Sequence, residues 1–159
     1  MSQPFLHLDT SAWIPIRDGD HDARKLYERH YSARRNRGDA KKILGPGEYL
    51  MLMTPDVKAL LAWRKFRSMD TAQIGVNCAI FRNEGSIYGQ SSYLLSLGMQ
   101  IAWDRWPGER LYTYVDSRRV RSANPGYCFL MAGWRRCGQS KGGLLILEAQ
   151  GTAEKENAQ

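Results

Sequence analysis

Asp116 follows an apolar stretch and precedes three arginines, so the chemistry of its carboxylate is the first question that the sequence raises. The stretch RLYTYVD predicts a buried strand ending at Asp116, and Arg118, Arg119 and Arg121 lie within the next five residues. In one interpretation the carboxylate starts a turn or pairs with one of these arginines. In the other it is a general base or metal ligand, because ligands collect beyond the carboxyl ends of strands in open parallel sheets.

His30 and Tyr31 carry the other side chains suited to proton transfer or metal binding. They lie at helical spacing with Leu26 and Tyr27, so HDARKLYERHYS predicts a first helix that ends in HYS. Packing of this face, with the polar ends bonded to backbone, explains the pattern equally well. A cleft shared with Asp116 would instead bind a divalent metal or relay a proton, since histidine titrates near neutrality and phenolate and carboxylate oxygens suit harder metals.

The segment IGVNCAIFRNE alternates clearly enough to predict a strand. The two-residue period places Ile74, Val76, Cys78 and Ile80 on one face and Asn77 on the other. The companions of Asn77 on that second face are Gly75, Ala79 and Phe81.

Four side chains fall where a cofactor or donor would bind, at the end of this strand and the start of the next helix. Asn77 and Arg82 flank the same predicted opening. Ser91 and Ser92 begin the helix, where they either cap it or leave backbone amides that bind a phosphate or carboxylate.

The order of the remaining segments predicts a single α/β domain over residues 1–150 and a disordered tail over 151–159, which lacks apolar residues. A strand, a helix and a strand in succession form a crossover unit, so its two strands are expected to be parallel neighbours or near neighbours. The predicted elements after the first helix are the strand YLMLMT, a strand or helix at VKALLAWRKF, the strand IGVNCAIFRNE, the helix SSYLLSLGMQIAWDRW, the strand RLYTYVD, a helix capped by Asn124 with Pro125 at its first position and Gly133 near its end, and a last strand, GGLLILE.

Residues 24–42 carry most of the excess positive charge of the chain, which has a net charge of +7. The segment holds eight Lys or Arg residues against Glu28 and Asp39. Such a block is either a solvated surface loop or a phosphate footprint, since Lys and Arg gain affinity for a polyanion by releasing its counterions. The candidate DNA contacts are Arg34, Arg35, Arg37, Lys41 and Lys42.

The length of the apolar runs and the spacing of the cysteines limit the classes of protein to which the chain can belong. The longest apolar runs fall well short of the roughly 18 residues that a spanning helix needs, and no secretion signal is recognisable, so we expect a soluble cytoplasmic protein that does not enter a membrane. Cys78, Cys128 and Cys137 are widely spaced and predict neither a disulfide framework nor a zinc site; we expect each to be a small buried hydrophobe. The tryptophans are expected in the core, with Trp63 beside Arg64 as an alternative base-stacking surface.

The second half of the chain resembles the GNAT family of N-acetyltransferases in its order of elements. In that fold the helix after the fifth strand commonly starts at an Asn and ends in a Gly-aromatic pair, as NPGYCFLMAGW does. The resemblance covers roughly residues 45–148. It implies a GNAT-like mixed central sheet with flanking helices in a single domain.

A narrower resemblance is to the Mom family of phage DNA modification proteins. It rests on HYS followed by a basic loop, then GVNCAIFRNE, the SS helix start, RLYTYVD and NPGYCFLMAGWRRCG, in that order. The family converts adenine in DNA to a form carbamoylmethylated at the exocyclic amine, which blocks restriction enzymes. The resemblance implies a phage-encoded transferase in the host cytoplasm, with His30, Tyr31 and Asp116 as catalytic residues and iron held by Tyr31 and Asp116.

Acetyl-CoA use is a separate question. Acetyltransferases hold the coenzyme pyrophosphate with a Gly-rich run, and the matching position here, RNEGSIYGQSS, has Gly85 and Gly89 without the usual spacing. Two other functions stay open: an N-acetyltransferase that holds acetyl-CoA between the strands ending at Arg82 and Asp116, and a non-catalytic DNA-binding module. The sequence leaves the small-molecule donor and the oligomeric state open, a dimer being one option.

Overall fold

A mixed sheet of seven strands runs through the computed structural model, which describes residues 12–30, 42–66, 73–119 and 125–151. The strands lie in the order β1-β2-β3-β4-β5-β7-β6, and β4 and β5 form the parallel pair among antiparallel neighbours. Their bounds are Ile14–Ile16 (β1), Glu48–Met53 (β2), Ala59–Lys65 (β3), Val76–Asn83 (β4), Leu111–Val115 (β5), Arg135–Gln139 (β6) and Leu145–Ala149 (β7), with helices at His21–Glu28 (α1), Ser91–Arg105 (α2) and Tyr127–Met131 (α3).

The two faces of the sheet bury separate apolar layers, which confirms a single α/β domain. Helices α2 and α3 cover one face, where Leu94, Leu97 and Phe129 pack on the apolar side chains of β3, β4 and β5. Helix α1 covers part of the other face through Leu26 and Tyr27. The parallel pair joined through α2 is the crossover that the sequence predicts. Within the described ranges, no helix is long and apolar enough to cross a membrane.

A β-bulge in β4 overturns the predicted distribution of its side chains. The pairing with β3 shifts between Ala62, opposite Ile80, and Trp63, opposite Cys78, so Ala79 is the extra residue. Cys78 consequently faces the α2 layer, whereas Ile80 faces the α1 layer. The prediction that these two side chains share a face is wrong because the simple two-residue period does not survive a bulge.

Helix α1 ends earlier than the sequence predicts. Asp20 caps its start by accepting a hydrogen bond from the Ala23 amide at 3.0 Å, but the helix ends at Glu28 and Arg29 is its C-cap. His30 therefore follows the helix instead of belonging to it. The predicted ending of the helix in HYS is therefore wrong for His30. Tyr31 lies outside the described residues.

Helix α3 begins later than predicted. Gly126, in the left-handed region with φ 78°, occupies the N-cap, and Pro125 lies in the preceding turn instead of at the first helical position. A β-carbon on Gly126 would lie 2.6 Å from Leu147 Cδ1, so both the backbone angle and the close packing require glycine. The predicted cap, Asn124, lies outside the described residues, while Gly133 does follow the helix end.

The strands at the two edges of the sheet were not predicted. β1 contains a proline and spans three residues, and β6 is exposed along its whole length. The segment GGLLILE is predicted to end the sheet as its last strand. It forms β7, but β7 lies inside the sheet, between β5 and β6. The segment VKALLAWRKF, ambiguous in the sequence, contains strand β3.

The predictions for cysteine and tryptophan are mostly confirmed. Cys78 is buried and Cys128 half-buried, but Cys137 is exposed on the edge strand, so that prediction is wrong for Cys137. Trp63 is fully buried and stacks on Trp134 with ring centroids 6.3 Å apart. Burial rules out the alternative role of Trp63 as a base-stacking surface.

Candidate functional site

Strands β4 and β5 separate soon after they begin, and this gap is the centre of the candidate site. They pair at two positions near their amino ends, Val76 with Leu111 and Asn77 with Tyr112. Where the strands part, the Thr113 hydroxyl donates a 2.9 Å hydrogen bond to the Cys78 carbonyl. The carboxyl ends are left apart, which is where ligands collect in sheets with parallel strands.

His30 lies against the carboxyl end of β4. Its imidazole bonds to the backbone of Phe81, and Arg82 is close enough to act on it electrostatically. Burial above all, and then the charge of Arg82, lowers the pKa of His30 from 6.5 to about 4, with Arg119 adding to the shift. The imidazole is therefore neutral at pH 7 and has the capacity to accept a proton.

Asp116 lies at the matching end of β5 and starts a turn. Its Oδ1 accepts hydrogen bonds from the Arg118 amide at 3.1 Å and from Arg118 Nε at 3.2 Å. These bonds hold the pKa of Asp116 below its ordinary value, and Arg119 lowers that pKa further. The turn and ion pair considered from the sequence are thus both present, and the carboxylate, whose side chain is 16% exposed, still reaches solvent.

Arg119 acts electrostatically on both predicted catalytic residues, His30 and Asp116. The Arg119 amide donates a 3.1 Å hydrogen bond to the Asp116 carbonyl, and the Arg119 charge lowers the pKa of both His30 and Asp116. Because β4 and β5 are parallel, their carboxyl ends, and with them His30 and Asp116, lie at the same end of the sheet. Tyr31, the third predicted catalytic residue, lies outside the described residues.

An ion-pair network missed by the sequence joins the end of α1 to the end of β4. Glu84 accepts two hydrogen bonds from Arg29, at 2.7 and 2.9 Å, and a third from Arg82 Nε at 2.6 Å. The bond to Arg29 is the main reason why the pKa of Glu84 falls to about 2. Arg82, predicted to bind a cofactor, is thus partly neutralised, and the network fixes the chain directly before His30.

Asn77 lies at the closed end of the gap, not beside Arg82 at its open end. The strand register places it between Arg64 on β3 and Tyr112 on β5. Its Oδ1 is buried and has no hydrogen-bond partner. A buried acceptor without a partner is uncommon, so Asn77 remains a candidate ligand-binding residue at this second position.

Neither predicted serine caps helix α2. The N-cap is Gln90, whose side chain makes no capping hydrogen bond, and Ser91 Oγ accepts a 3.3 Å bond from Asn83. The capping interpretation of Ser91 and Ser92 is therefore wrong. The backbone amides of the first turn lack a side-chain cap, as an anion site at a helix start requires.

Most of the predicted DNA contacts lie outside the described residues: Arg34, Arg35, Arg37 and Lys41. Lys42 is described and exposed. The residues after Lys42 are anchored, because the amides of Ile43 and Leu44 donate to the Asp18 carboxylate at 2.7 and 2.9 Å. The described ends of the basic segment are thus fixed at both sides, by Glu84 through Arg29 and by Asp18.

The described residues do not by themselves form an iron site. Among them no three His, Cys, Asp or Glu side chains are grouped for metal binding. Asp116 is already bonded to Arg118, and the positive charges of Arg82 and Arg119 near His30 oppose a cation. The predicted ligand Tyr31 lies outside this part of the chain, and the function proposed below includes no metal step.

Comparison with known proteins identifies no relative: no family model, no curated protein and no solved structure matches the chain. Function is therefore inferred from the residues and geometry above. The features that carry it are the gap between β4 and β5, the neutral His30, the Asp116 carboxylate and the adjoining basic segment.

Proposed function

We propose that the protein is a GNAT-like, Mom-like transferase that carbamoylmethylates the exocyclic amine of adenine in DNA and so protects the DNA from restriction. One observation carries the proposal: His30 and Asp116 lie at the carboxyl ends of the separating strands β4 and β5, both within the influence of Arg119. The sequence resemblance names both residues, and their positions at the same end of two parallel strands support the proposal. The protein would act in the cytoplasm of a host cell.

His30 is the candidate proton acceptor. An amine that gains a carbon substituent carries a positive charge until it loses a proton, and a proton on such a cation is acidic enough for a weak base to accept. Burial and the adjacent Arg82 keep the His30 imidazole neutral at pH 7 and make it a weak base. Asp116 keeps its negative charge at the same pH, because Arg118 lowers its pKa, and it would orient or stabilise positive charge on the reacting amine.

The basic segment, residues 24–42, includes the end of α1 and continues past His30. Arg29 and His30 are described, and the cluster containing Arg34, Arg35 and Arg37 follows in the sequence. DNA held by these residues would lie next to the gap between β4 and β5. The adenine amine is paired within a duplex, so the base must leave the stack or be single-stranded to reach His30.

An N-acetyltransferase is the second candidate. The gap between β4 and β5 and the α2 start without a side-chain cap favour it, since a coenzyme could lie in the gap with its phosphates at the helix amides. Tight binding of acetyl-CoA, with acetyl transfer to a polyamine or peptide and no change in DNA, would support this function. A non-catalytic DNA-binding module predicts instead that DNA composition never changes.

The proposal is tested by expressing the protein and analysing the nucleosides of host DNA by mass. The wild type should yield an adenine species heavier by one carbamoylmethyl group. Asp116→Asn keeps the shape but removes the charge, so modification should fall by at least the roughly hundredfold that acid–base catalysis contributes. Asp104→Asn, on the exposed surface of α2, should match the wild type. Unmodified DNA from cells rich in folded wild-type protein would reject the proposal.

A further inference from the structure

A cluster of polar side chains lies at the amino end of β4, on the face of the sheet that α1 partly covers. Its centre is Asn77, which the register places between Arg64 on β3 and Tyr112 on β5. Helix α1 packs farther along the same face, on Ala62 and Ile80. Asn77 and Arg64 are half-buried, so solvent reaches the cluster. The cluster is separate from the candidate catalytic residues, which lie at the carboxyl ends of β4 and β5.

The side-chain amide of Asn77 has a hydrogen-bonding requirement that the described residues do not meet. Its Oδ1 is buried, and no described group donates to it. Buried acceptors in folded proteins are almost always bonded, because an unbonded acceptor keeps the full cost of leaving water. A carbonyl oxygen only accepts hydrogen bonds, so the group that would offset this cost must carry an N–H or O–H.

Arg64 provides a fixed positive charge beside Asn77. Its Nε donates to the Pro46 carbonyl at 2.7 Å, and its guanidinium lies over the Phe66 ring, 4.7 Å from the ring centroid. Gly45 makes room for the guanidinium, since a β-carbon there would lie 2.9 Å from Arg64 Nη2. Within the described ranges no carboxylate pairs with Arg64. Its remaining N–H groups are therefore available to an anion, and a carboxylate fits their geometry.

Two tyrosines of β5 supply hydroxyl groups on the other side of Asn77. The rings of Tyr112 and Tyr114 meet edge to face with centroids 5.9 Å apart, and Arg110 lies over the Tyr112 ring at 5.3 Å. Arg110 is itself neutralised by Glu148 at 2.6 Å. Burial raises the pKa of both phenols, so both hydroxyls stay protonated at neutral pH. In the described part of the chain neither hydroxyl has a hydrogen-bond partner, so both are able to donate.

Three kinds of group thus follow one another across adjacent strands, which lie about 4.8 Å apart. They are a cation on β3 (Arg64), an acceptor on β4 (Asn77 Oδ1) and hydroxyl donors on β5 (Tyr112 and Tyr114). The complementary order in a ligand is a carboxylate, an N–H and a carbonyl, which is the order of groups in an N-acyl amino acid. Chloride or sulfate would bind Arg64 but has no hydrogen to donate to Asn77.

We propose that this cluster is a binding site for a small N-acyl amino acid. The ligand carboxylate binds Arg64, its amide N–H donates to Asn77 Oδ1, and its acyl carbonyl accepts from a tyrosine hydroxyl of β5. The site does not depend on the proposed function, because it shares no residue with His30 or Asp116 and lies at the other end of the strands.

The test is an NMR titration of the folded protein with three probes that differ by one group each. N-acetylalanine has the complete set of groups. O-acetyllactate replaces its N–H by an ester oxygen, and N-acetylalaninamide replaces its carboxylate by a neutral amide. Wild-type protein should bind N-acetylalanine with a shift of the Asn77 side-chain amide signals. It should bind each of the other two at least roughly tenfold more weakly, because each leaves one protein group without its partner.

Two variants assign the contacts. Asn77→Leu keeps the size of the side chain and removes the buried acceptor, so the protein should fold and should bind N-acetylalanine and O-acetyllactate equally. Arg64→Met keeps the aliphatic part of the side chain, and its affinity for N-acetylalanine should fall at least roughly tenfold. Arg105→Met is the matched control, since Arg105 is half exposed at the end of α2, and it should match the wild type.

Three outcomes would overturn the site. They are wild-type protein whose spectrum does not respond to excess N-acetylalanine, equal wild-type affinity for N-acetylalanine and O-acetyllactate, and unchanged affinity in a folded Arg64→Met. None of them bears on the proposed function, which the nucleoside analysis tests by itself. Unmodified DNA would in turn leave this site intact.

Discussion

At the scale of single residues, the fold determines protonation at the candidate site. His30 and Asp116 lie at one end of the sheet, among arginines, yet their pKa values are lowered for different reasons. Burial is the main cause for His30 and favours the neutral imidazole, whereas the hydrogen bond from Arg118 favours the Asp116 carboxylate. One residue is thus kept as a neutral base and the other as an anion across the neutral pH range.

The pKa of His30 predicts how stability depends on pH. The unfolded chain takes up this proton near pH 6.5 and the folded protein only near pH 4, so the unfolded state binds more protons between these values. The contribution of the neutral His30 to the free energy of unfolding is complete above pH 6.5. As the pH falls to about 4, up to about 3 kcal/mol of it is lost. Chemical denaturation at pH 7 and pH 4 measures it.

His30→Gln should remove that contribution, because an amide can still donate to the Phe81 backbone but does not titrate. His21→Gln is the matched control, since the His21 side chain is 75% exposed and should leave the pH dependence unchanged. Identical pH dependence in wild type and His30→Gln would show that the imidazole is not buried as described.

Some of the site could be predicted from single residues and some could not. Asp116 and His30 are candidates from the sequence because their types suit acid–base chemistry and Asp116 ends a predicted strand. Glu84 was missed because its role depends on a distant partner, Arg29, which lies 55 residues away in the sequence. A polar residue in a loop carries no signal until the fold provides its partner.

At the scale of elements, α2 determines how closely the apolar layer packs on the sheet. Gly98 on α2 faces β3 so closely that a β-carbon there would lie 2.1 Å from Leu61 Cδ2 and 3.6 Å from Trp13 Nε1. Trp13 is itself fixed, because its Nε1 donates to the Leu94 carbonyl at 2.8 Å. The helix can approach the sheet here because the side chain is absent.

Gly98→Ala should therefore destabilise the protein by about 1–3 kcal/mol, although alanine favours helices by about 1 kcal/mol over glycine elsewhere. Leu61 is fully buried, so a shift of its side chain would have to displace neighbouring core residues. Gly138→Ala is the control, since nothing lies within 4 Å of a β-carbon there and the strand is exposed. A melting temperature for Gly98→Ala equal to or above that of the wild type would contradict the close packing.

The predictability of the elements follows from their burial. Strands β2, β4, β5 and β7 and helix α2 were predicted because their segments are rich in apolar side chains, most of which the fold buries. The edge strand β6, RRCGQ, has no such period, and its pairing with β7 and the 2.5 Å ion pair of Arg135 with Glu148 hold it in place. The bulge at Ala79 could not be predicted either, because the apolar residues around it alternate in the sequence whether or not the strand bulges.

At the scale of the whole molecule, the proposed binding to DNA depends on the positive charge of residues 24–42. Replacing Arg34, Arg35 and Arg37 together with alanine should weaken DNA binding about evenly across sequences. The slope of log affinity against log salt should become shallower by about one unit for each phosphate that the variant no longer neutralises. Binding titrations at several salt concentrations measure this slope.

Arg105→Ala is the control for this prediction. Arg105 ends α2 and lies near Glu48, which begins β2, so it is at the opposite end of the sheet from His30 and Asp116. Its removal should leave the salt dependence unchanged. An unchanged slope in the triple variant would remove the basic segment from the DNA-binding surface.

The register of the sheet places one row of polar side chains across six of its strands, from β2 to β6. Tyr49, Arg64, Asn77 and Tyr112 lie opposite one another in turn, and the row continues to Glu148 and Arg135. A slip of one residue in any of these strands would turn its polar member into the apolar layer beneath α2, where an unpaired charge is very costly. The residues of this row therefore also specify the register of the sheet, because a misaligned strand would bury its polar member without a partner.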